Sequence, residues 1–362
     1  MTKIKVLVVD DSAVIRKLLS TMIDQQPDME VVGTASDPYI ARDKIKQLNP
    51  DVITLDIEMP RMDGLTFLRN LMRLRPMPVI MISTLTQAGA DITLESLNNG
   101  AFDCVSKPRE NLGKGLTEYE QEIADKIRAA SKVNLGELER RAKASRQSPV
   151  APMRSVSGYQ PRTNQIIAIG ASTGGTEAIK DVLMGLPENC PPVVITQHIP
   201  VNFSASYAQR LDGCCAMTVH EAQSGQKLLP GNVYIAPGDQ HLVVRKSASG
   251  LSAQLLDTER VNRHKPSVEV LFDSITQLGL KDTVAVLLTG MGADGAEALL
   301  RMKQIGCHTI IQDQATSVVW GMPGVAHSIG AHCEVKPLGS IAKRLLELTN
   351  RNSDQGRVKS SA

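Results

Sequence analysis

Between residues 4 and 108 the chain repeats one pattern: a short run of branched apolar residues, a polar break, then apolar residues at helical spacing. Ile4–Val9 reads as a strand, and Val14, Ile15, Leu18, Leu19, Met22 and Ile23 mark the apolar face of the helix after it. Val31–Val32, Val52–Leu55, Val79–Ile82 and Asp103–Ser106 read as further strands, with helical patterns between them. Strands joined through helices pair in parallel and are covered on both faces, so their own sequences are apolar throughout. Five such alternations predict a doubly wound α/β domain.

In a sheet of this kind, sites form beyond the carboxyl ends of the strands. The residues found there are Asp10 and Asp11, then Asp56, Ser83 and Lys107. Three carboxylates at one sheet edge repel one another unless a cation joins them, and an all-oxygen set with room for water suits Mg²⁺. A lysine and a hydroxyl at the next strand ends could hold a phosphoryl group carried on one carboxylate. The pattern Asp10-Asp11, Asp56-x-x-Met59-Pro60-x-x-Asp63-Gly64, Ser83, Lys107-Pro108 resembles the receiver domain of two-component response regulators. The resemblance implies that Asp56 is the phosphoacceptor, that Asp10, Asp11 and Asp56 bind Mg²⁺, and that Ser83 and Lys107 contact the phosphoryl oxygens. Cys104 departs from that pattern, standing where the family carries an aromatic switch residue.

A length of 362 residues leaves room for a second domain. Helical periodicity continues through 117–131 and then fades. From 132 to 163 seven basic residues (Lys132, Arg140, Arg141, Lys143, Arg146, Arg154, Arg162) face two acids (Glu137, Glu139), the composition of a solvated linker. A net charge of +2 makes no electrostatic case for nucleic acid. The N-terminal apolar run, Val6 to Val9, is too short for a signal peptide or a membrane span. The six cysteines show no C-x-x-C spacing, as expected of free thiols in a reducing cytoplasm.

The rhythm resumes at Ile166–Ile169, a buried-strand pattern followed by Gly170-Ala171-Ser172-Thr173-Gly174-Gly175 and a helix carrying Ala178, Ile179, Val182 and Leu183. This fits the G-x-S-x-G turn that lifts a serine out as a nucleophile, although a serine there could equally cap the helix. Val193–Thr196 is a strand ending at Gln197-His198, and Val284–Leu288 leads into Thr289-Gly290-Met291-Gly292-Ala293-Asp294-Gly295. Val233–Ala236 and His241–Arg245, joined by Pro237-Gly238-Asp239-Gln240, are expected to form a hairpin. Ser172, His198 and Asp294 therefore share strand-end placement. A serine needs a base to take its proton, and a histidine needs a carboxylate to fix its tautomer, so a hydrogen-bonded chain through the three is expected. His264 is the rival base, but it precedes a helix instead of ending a strand. Glycines 290, 292 and 295 also spell a dinucleotide turn, in which the Asp294 carboxylate would repel a pyrophosphate.

Taken together, the receiver pattern, Ile-Gly-Ala-Ser172-Thr-Gly-Gly, Thr-Gln-His198-Ile-Pro and Thr-Gly-Met-Gly-Ala-Asp294-Gly resemble the chemotaxis protein-glutamate methylesterase (CheB) family across nearly the whole chain. The resemblance implies a phosphorylation-regulated hydrolase that removes methyl esters from chemoreceptor glutamates, releasing methanol, and deamidates receptor glutamines. It assigns Ser172 as nucleophile, His198 as base and Asp294 as its partner, with Thr173 and Met291 lining the crevice as oxyanion donors. It also implies the chemotaxis histidine kinase CheA as phosphodonor, a cytoplasmic enzyme that inserts into no membrane, and an esterase reaction needing no cofactor. The expected layout is a receiver at 1–125, a linker at 126–163, an α/β parallel-sheet esterase domain with a β-hairpin at 164–350, and a disordered tail at 351–362.

Overall fold

The computed structural model describes residues 2–84, 86–107, 115–133, 136, 155–163, 165–248 and 250–351. Pro108, most of the expected linker (134–135 and 137–154) and the tail from residue 352 lie outside the described residues. The chain divides into two compact units, Met1–Ser148 and Pro149–Ala362.

In the first unit five strands, β1 (Ile4–Val9), β2 (Met29–Ala35), β3 (Val52–Asp56), β4 (Val79–Ser83) and β5 (Asp103–Ser106), form a parallel sheet in the order β2-β1-β3-β4-β5. The helices α1 (Ala13–Asp24), α2 (Pro38–Leu48), α3 (Gly64–Leu74), α4 (Gln87–Asn98) and α5 (Gly115–Ala130) connect and follow them. Three of the helix starts are written locally. Ser12, Asp37 and Asp63 accept backbone N–H groups of the first turns of α1, α2 and α3, satisfying donors that have no partner within the helix. Leu7, Val9, Ile53, Leu55 and Met81 of the strands pack with Phe67, Leu68 and Leu71 of α3, so the chemistry-bearing residues are left at the strand ends. In register, Asp56 lies beside Ile82 and Ser83 beside Ser106.

The second unit holds a seven-stranded parallel sheet built on β6 (Ile167–Ala171), which is followed by α6 (Gly175–Met184). Next come β7 (Val193–Gln197), α7 (Ser204–Asp212), β8 (Thr218–Glu221), β9 (Asn232–Ile235), β10 (His241–Ser247), β11 (Gly250–Leu256) and α8 (Val268–Gln277). The unit ends with β12 (Val284–Leu287), α9 (Ala296–Gln304), β13 (His308–Gln312), α10 (Met322–Ser328), β14 (Glu334–Lys336) and α11 (Leu338–Thr349). The sheet order β14-β13-β12-β6-β7-β9-β8 runs outward from β6 in both directions, which makes the carboxyl ends of β6 and β12 a topological switch point.

The expected β9–β10 hairpin is absent. β9 joins the parallel sheet, with Val233 beside Val193, because its buried apolar face continues that sheet. The antiparallel pair is instead β10 with β11, in register from His241–Leu256 to Ser247–Gly250. Gly-Leu-Ser-Ala-Gln-Leu-Leu of β11 contains no β-branched residue, so it carries no strand signal of its own.

The strand that carries the serine turn is packed without slack. At Gly170 an added Cβ would come within 2.3 Å of Val268 Cγ1, where α8 crosses the sheet. Gly170→Ala should therefore destabilise the second unit by roughly 1–3 kcal/mol, the usual cost of overpacking, as read by the urea midpoint of its unfolding transition.

Candidate active site and phosphoacceptor site

At the switch point, register sets the distance between turns. Ala171 and Gln197 are direct partners across β6 and β7, so Ser172 and His198 each begin the turn just beyond neighbouring strands. The His198 backbone N–H donates to Ala171 O at 3.1 Å. Ser172 N–H donates to Thr289 O of the next turn at 3.0 Å, which binds three strand ends into one rim. A buried side chain links two of them. Gln197 Nε2 donates to both Ser172 O and His198 O, each at 2.9 Å. Gly175 makes room for it, since a Cβ there would lie 2.1 Å from Gln197 Oε1.

Asp294 is the most heavily bonded side chain of the site. Its Oδ2 meets His198 Nε2 at 2.8 Å and accepts Val268 N–H at 2.7 Å. Its Oδ1 accepts from Asn262 Nδ2 and Ser267 Oγ, both at 2.8 Å, and from Glu269 N–H at 3.3 Å. Ser267 is the N-cap residue of α8 but makes no cap bond of its own, so Asp294 supplies the anion at that helix end. Burial pushes this carboxyl up. The hydrogen bond and charge of His198, with the Asn262 and Ser267 donors, outweigh it and hold Asp294 well below the usual carboxylate range. An ionised Asp294 only accepts, so His198 Nε2 carries the proton.

The other ring nitrogen, His198 Nδ1, is buried and has no hydrogen-bond partner. The Ser172 hydroxyl is not bonded to it, so of the expected chain the His198–Asp294 half is formed and the Ser172–His198 half is not. Apo hydrolases often leave that bond to tighten with substrate. His264, the rival base, stacks face to face on His198 with ring centroids 3.6 Å apart and planes 13° apart. Thr173 is buried and its carbonyl accepts from Thr289 Oγ1 at 3.0 Å. Met291 follows Gly290, where an added Cβ would lie 2.8 Å from Ser172 Cβ, so both oxyanion candidates sit in turns against the serine. Gln197, Asn262 and Ser267 were not singled out in the sequence. Gln197 is strand-end polar and was legible as such, whereas Asn262 and Ser267 reach the site from the segment before α8.

In the first unit Asp10, Asp11 and Asp56 bring carboxylate oxygens within 4.8 Å of one another. Lys107 Nζ stands 2.8 Å from Asp56 Oδ2 and 3.4 Å from Asp10 Oδ2. Both Oδ2 atoms are buried, with no hydrogen-bond partner beyond these ion pairs. Burial pushes Asp56 up to about 6, with Lys107 opposing and the Asp10 charge adding to it. Burial raises Asp10 as well, against Lys107. Two buried acids held above their ordinary range, with unsatisfied oxygens aimed at one point, fit a hard divalent cation. Ser83 ends the adjacent strand, but its hydroxyl faces α4, with Oγ 2.7 Å from Thr93 Oγ1 and 3.4 Å from Gly89 O. Cys104 is buried in the core of this unit, and burial pushes its thiol up to about 12.

No helix among the described residues is long and apolar enough to cross a membrane. A family model described as CheB methylesterase matches residues 167–345, and one described as response regulator receiver domain matches residues 6–114. A protein-glutamate methylesterase/protein-glutamine glutaminase of Hydrogenovibrio crunogenus is 51% identical over 376 residues, spanning 97% of this chain and 100% of that protein. A second protein of that name, from Saccharophagus degradans, is 55% identical over 349 residues, spanning 96% of this chain and 99% of its own. With both units matched and nearly its full length covered, the chain belongs to the CheB methylesterase family, a receiver domain joined to a catalytic domain.

Proposed function

We propose that this protein is a phosphorylation-regulated serine hydrolase that demethylates glutamate methyl esters on chemoreceptors, releasing methanol, and deamidates receptor glutamines during chemotactic adaptation. The observation that carries the chemistry is the polarised histidine. One ring nitrogen of His198 is fixed on the buried Asp294, and the other is buried with no hydrogen-bond partner of its own.

Ser172 Oγ attacks the ester carbonyl while His198 Nδ1 takes its proton, and Asp294 stabilises the imidazolium through Nε2–H. The N–H groups of Thr173 and Met291 serve the oxyanion of the tetrahedral intermediate. Collapse breaks the bond to the methoxy oxygen, which leaves as methanol with the proton from Nδ1. Water, deprotonated by the same nitrogen, then hydrolyses the acyl-enzyme and restores the serine. With a glutamine side chain the first leaving group is ammonia.

The receiver occupies 1–125, a linker 126–163 and the catalytic domain 164–350. Asp56 accepts a phosphoryl group from the histidine kinase CheA in the cytoplasm. Asp10, Asp11 and Asp56 would hold Mg²⁺, which would supply positive charge against the phosphoryl oxygens. Lys107 contacts its oxygens, and Ser83 joins once its hydroxyl turns away from Thr93.

Esterase assays on a methylated receptor fragment test the triad. Ser172→Ala should lower kcat by on the order of 10⁴-fold or more, and Asp294→Ala by roughly ten- to a hundredfold less, because the orienting acid is the least costly member to remove. Equal or inverted losses would reassign the roles.

The acid at the α8 terminus also leaves a signature in stability. Its folded pKa lies below its ordinary 3.8, so Asp294 contributes stability that is complete above that value and is lost as pH falls through the lower folded one. Urea unfolding at pH 6 and pH 3 should show a smaller acid loss in Asp294→Asn than in the wild type.

For the receiver, Asp56→Asn should abolish labelling by a small phosphodonor, and removing Mg²⁺ should abolish it in the wild type. Persistent labelling of the variant would move the role to another acid.

A further inference from the structure

Outside the two sites, one reactive pair of side chains has no part in the chemistry above. Cys214 and Cys215 follow α7, where both backbone N–H groups turn back onto Leu211 O, at 3.0 and 2.9 Å. Both thiols are free and half-buried. The Cys214 thiol donates to Leu211 O at 3.4 Å. Lys180 of α6 and Arg210 of α7 bring positive charge to the pair, with Glu177 and Asp212 opposing. The neighbouring Cys215 thiol, helped by those cations against burial, lowers Cys214 below the ordinary thiol range, while Cys215 is raised by its neighbour and by burial. Two adjacent half-buried thiols, one of them the more readily ionised, thus stand side by side at the end of α7.

We propose that Cys214 and Cys215 form a two-sulfur site that captures a trivalent arsenical, with aryl arsenoxides as its ligand class. A direct disulfide is the poorer outcome for this pair. Their peptide bond is trans, which sets the two Cα atoms about 3.8 Å apart, short of the roughly 4.4–6.8 Å that disulfides span. A soft atom placed between the sulfurs removes that constraint, and thiolate is the ligand such atoms prefer. The Cys214 thiol forms the first As–S bond and the Cys215 thiol the second. The arsenic–oxygen bond breaks and the oxygen leaves as water with the two thiol protons, so no atom changes oxidation state. The remaining thiols offer no equal. Cys104, Cys190 and Cys307 are buried and pushed up to about 12, 12 and 11, and Cys333 is exposed next to buried Cys307 alone.

Reduced full-length protein titrated with phenylarsine oxide tests the site by intact mass and competition. One adduct per chain should form, mapped to the peptide bearing Cys214 and Cys215. Excess monothiol should leave it in place, and a small dithiol should remove it. Cys214→Ser and Cys215→Ser should each weaken capture by roughly 10²–10⁴-fold, the effective-concentration advantage of a second linked sulfur. Cys333→Ser should leave capture unchanged, and retained esterase activity in all three variants reports intact folding. Wild-type capture in either single-cysteine variant, or its loss in Cys333→Ser, would overturn the proposal.

Discussion

A single buried carboxylate carries most of the organisation of the catalytic unit. Asp294 leaves the turn after β12, enters the N-terminal end of α8 and accepts five hydrogen bonds. An uncompensated charge there would cost several kcal/mol or be neutralised by a proton. The donors remove that choice and keep the acid ionised. Its ionisation then decides which nitrogen of His198 holds a proton, and so which nitrogen is open to act as a base. Helix capping and tautomer selection are one interaction here.

The receiver shows the opposite electrostatic arrangement. Asp10 and Asp56 are buried with too few donors, and Lys107 compensates them only in part. Both acids are consequently held above their ordinary range. Oversupplied with donors, Asp294 keeps its charge. The undersupplied pair at Asp10 and Asp56 is instead receptive to a cation. The two sites share a position in the sheet, the carboxyl edge, and differ in how completely the surrounding residues pay the cost of burial.

Much of this was legible in the sequence, because parallel strands are apolar throughout and their last residues are not. Ile4–Val9 and Asp103–Ser106 are strands over the ranges their sequences predict; Asp56 is the last residue of its strand, and Asp10, Lys107, Ser172 and His198 stand immediately beyond theirs. What escaped has a physical cause. β11 pairs through backbone groups with no branched residue to announce it, and β14 is three residues long. Asn262 and Ser267 reach Asp294 by a tertiary approach that no spacing encodes. The side-chain direction of Ser83, toward α4, is a torsional choice that its strand-end position leaves open.

Gln197 has a consequence beyond holding two carbonyls. Its amide nitrogen grips the carbonyls of Ser172 and His198 together, so the two turns move as one body. A strand-end site on separate loops could adjust the serine and the histidine independently to a new substrate. This one cannot. Tolerance for different receptor side chains has to come from the walls around the rim, and any substitution that shifts one turn is transmitted to the other. The protein exchanges adaptability at the reacting atoms for a fixed relation between them.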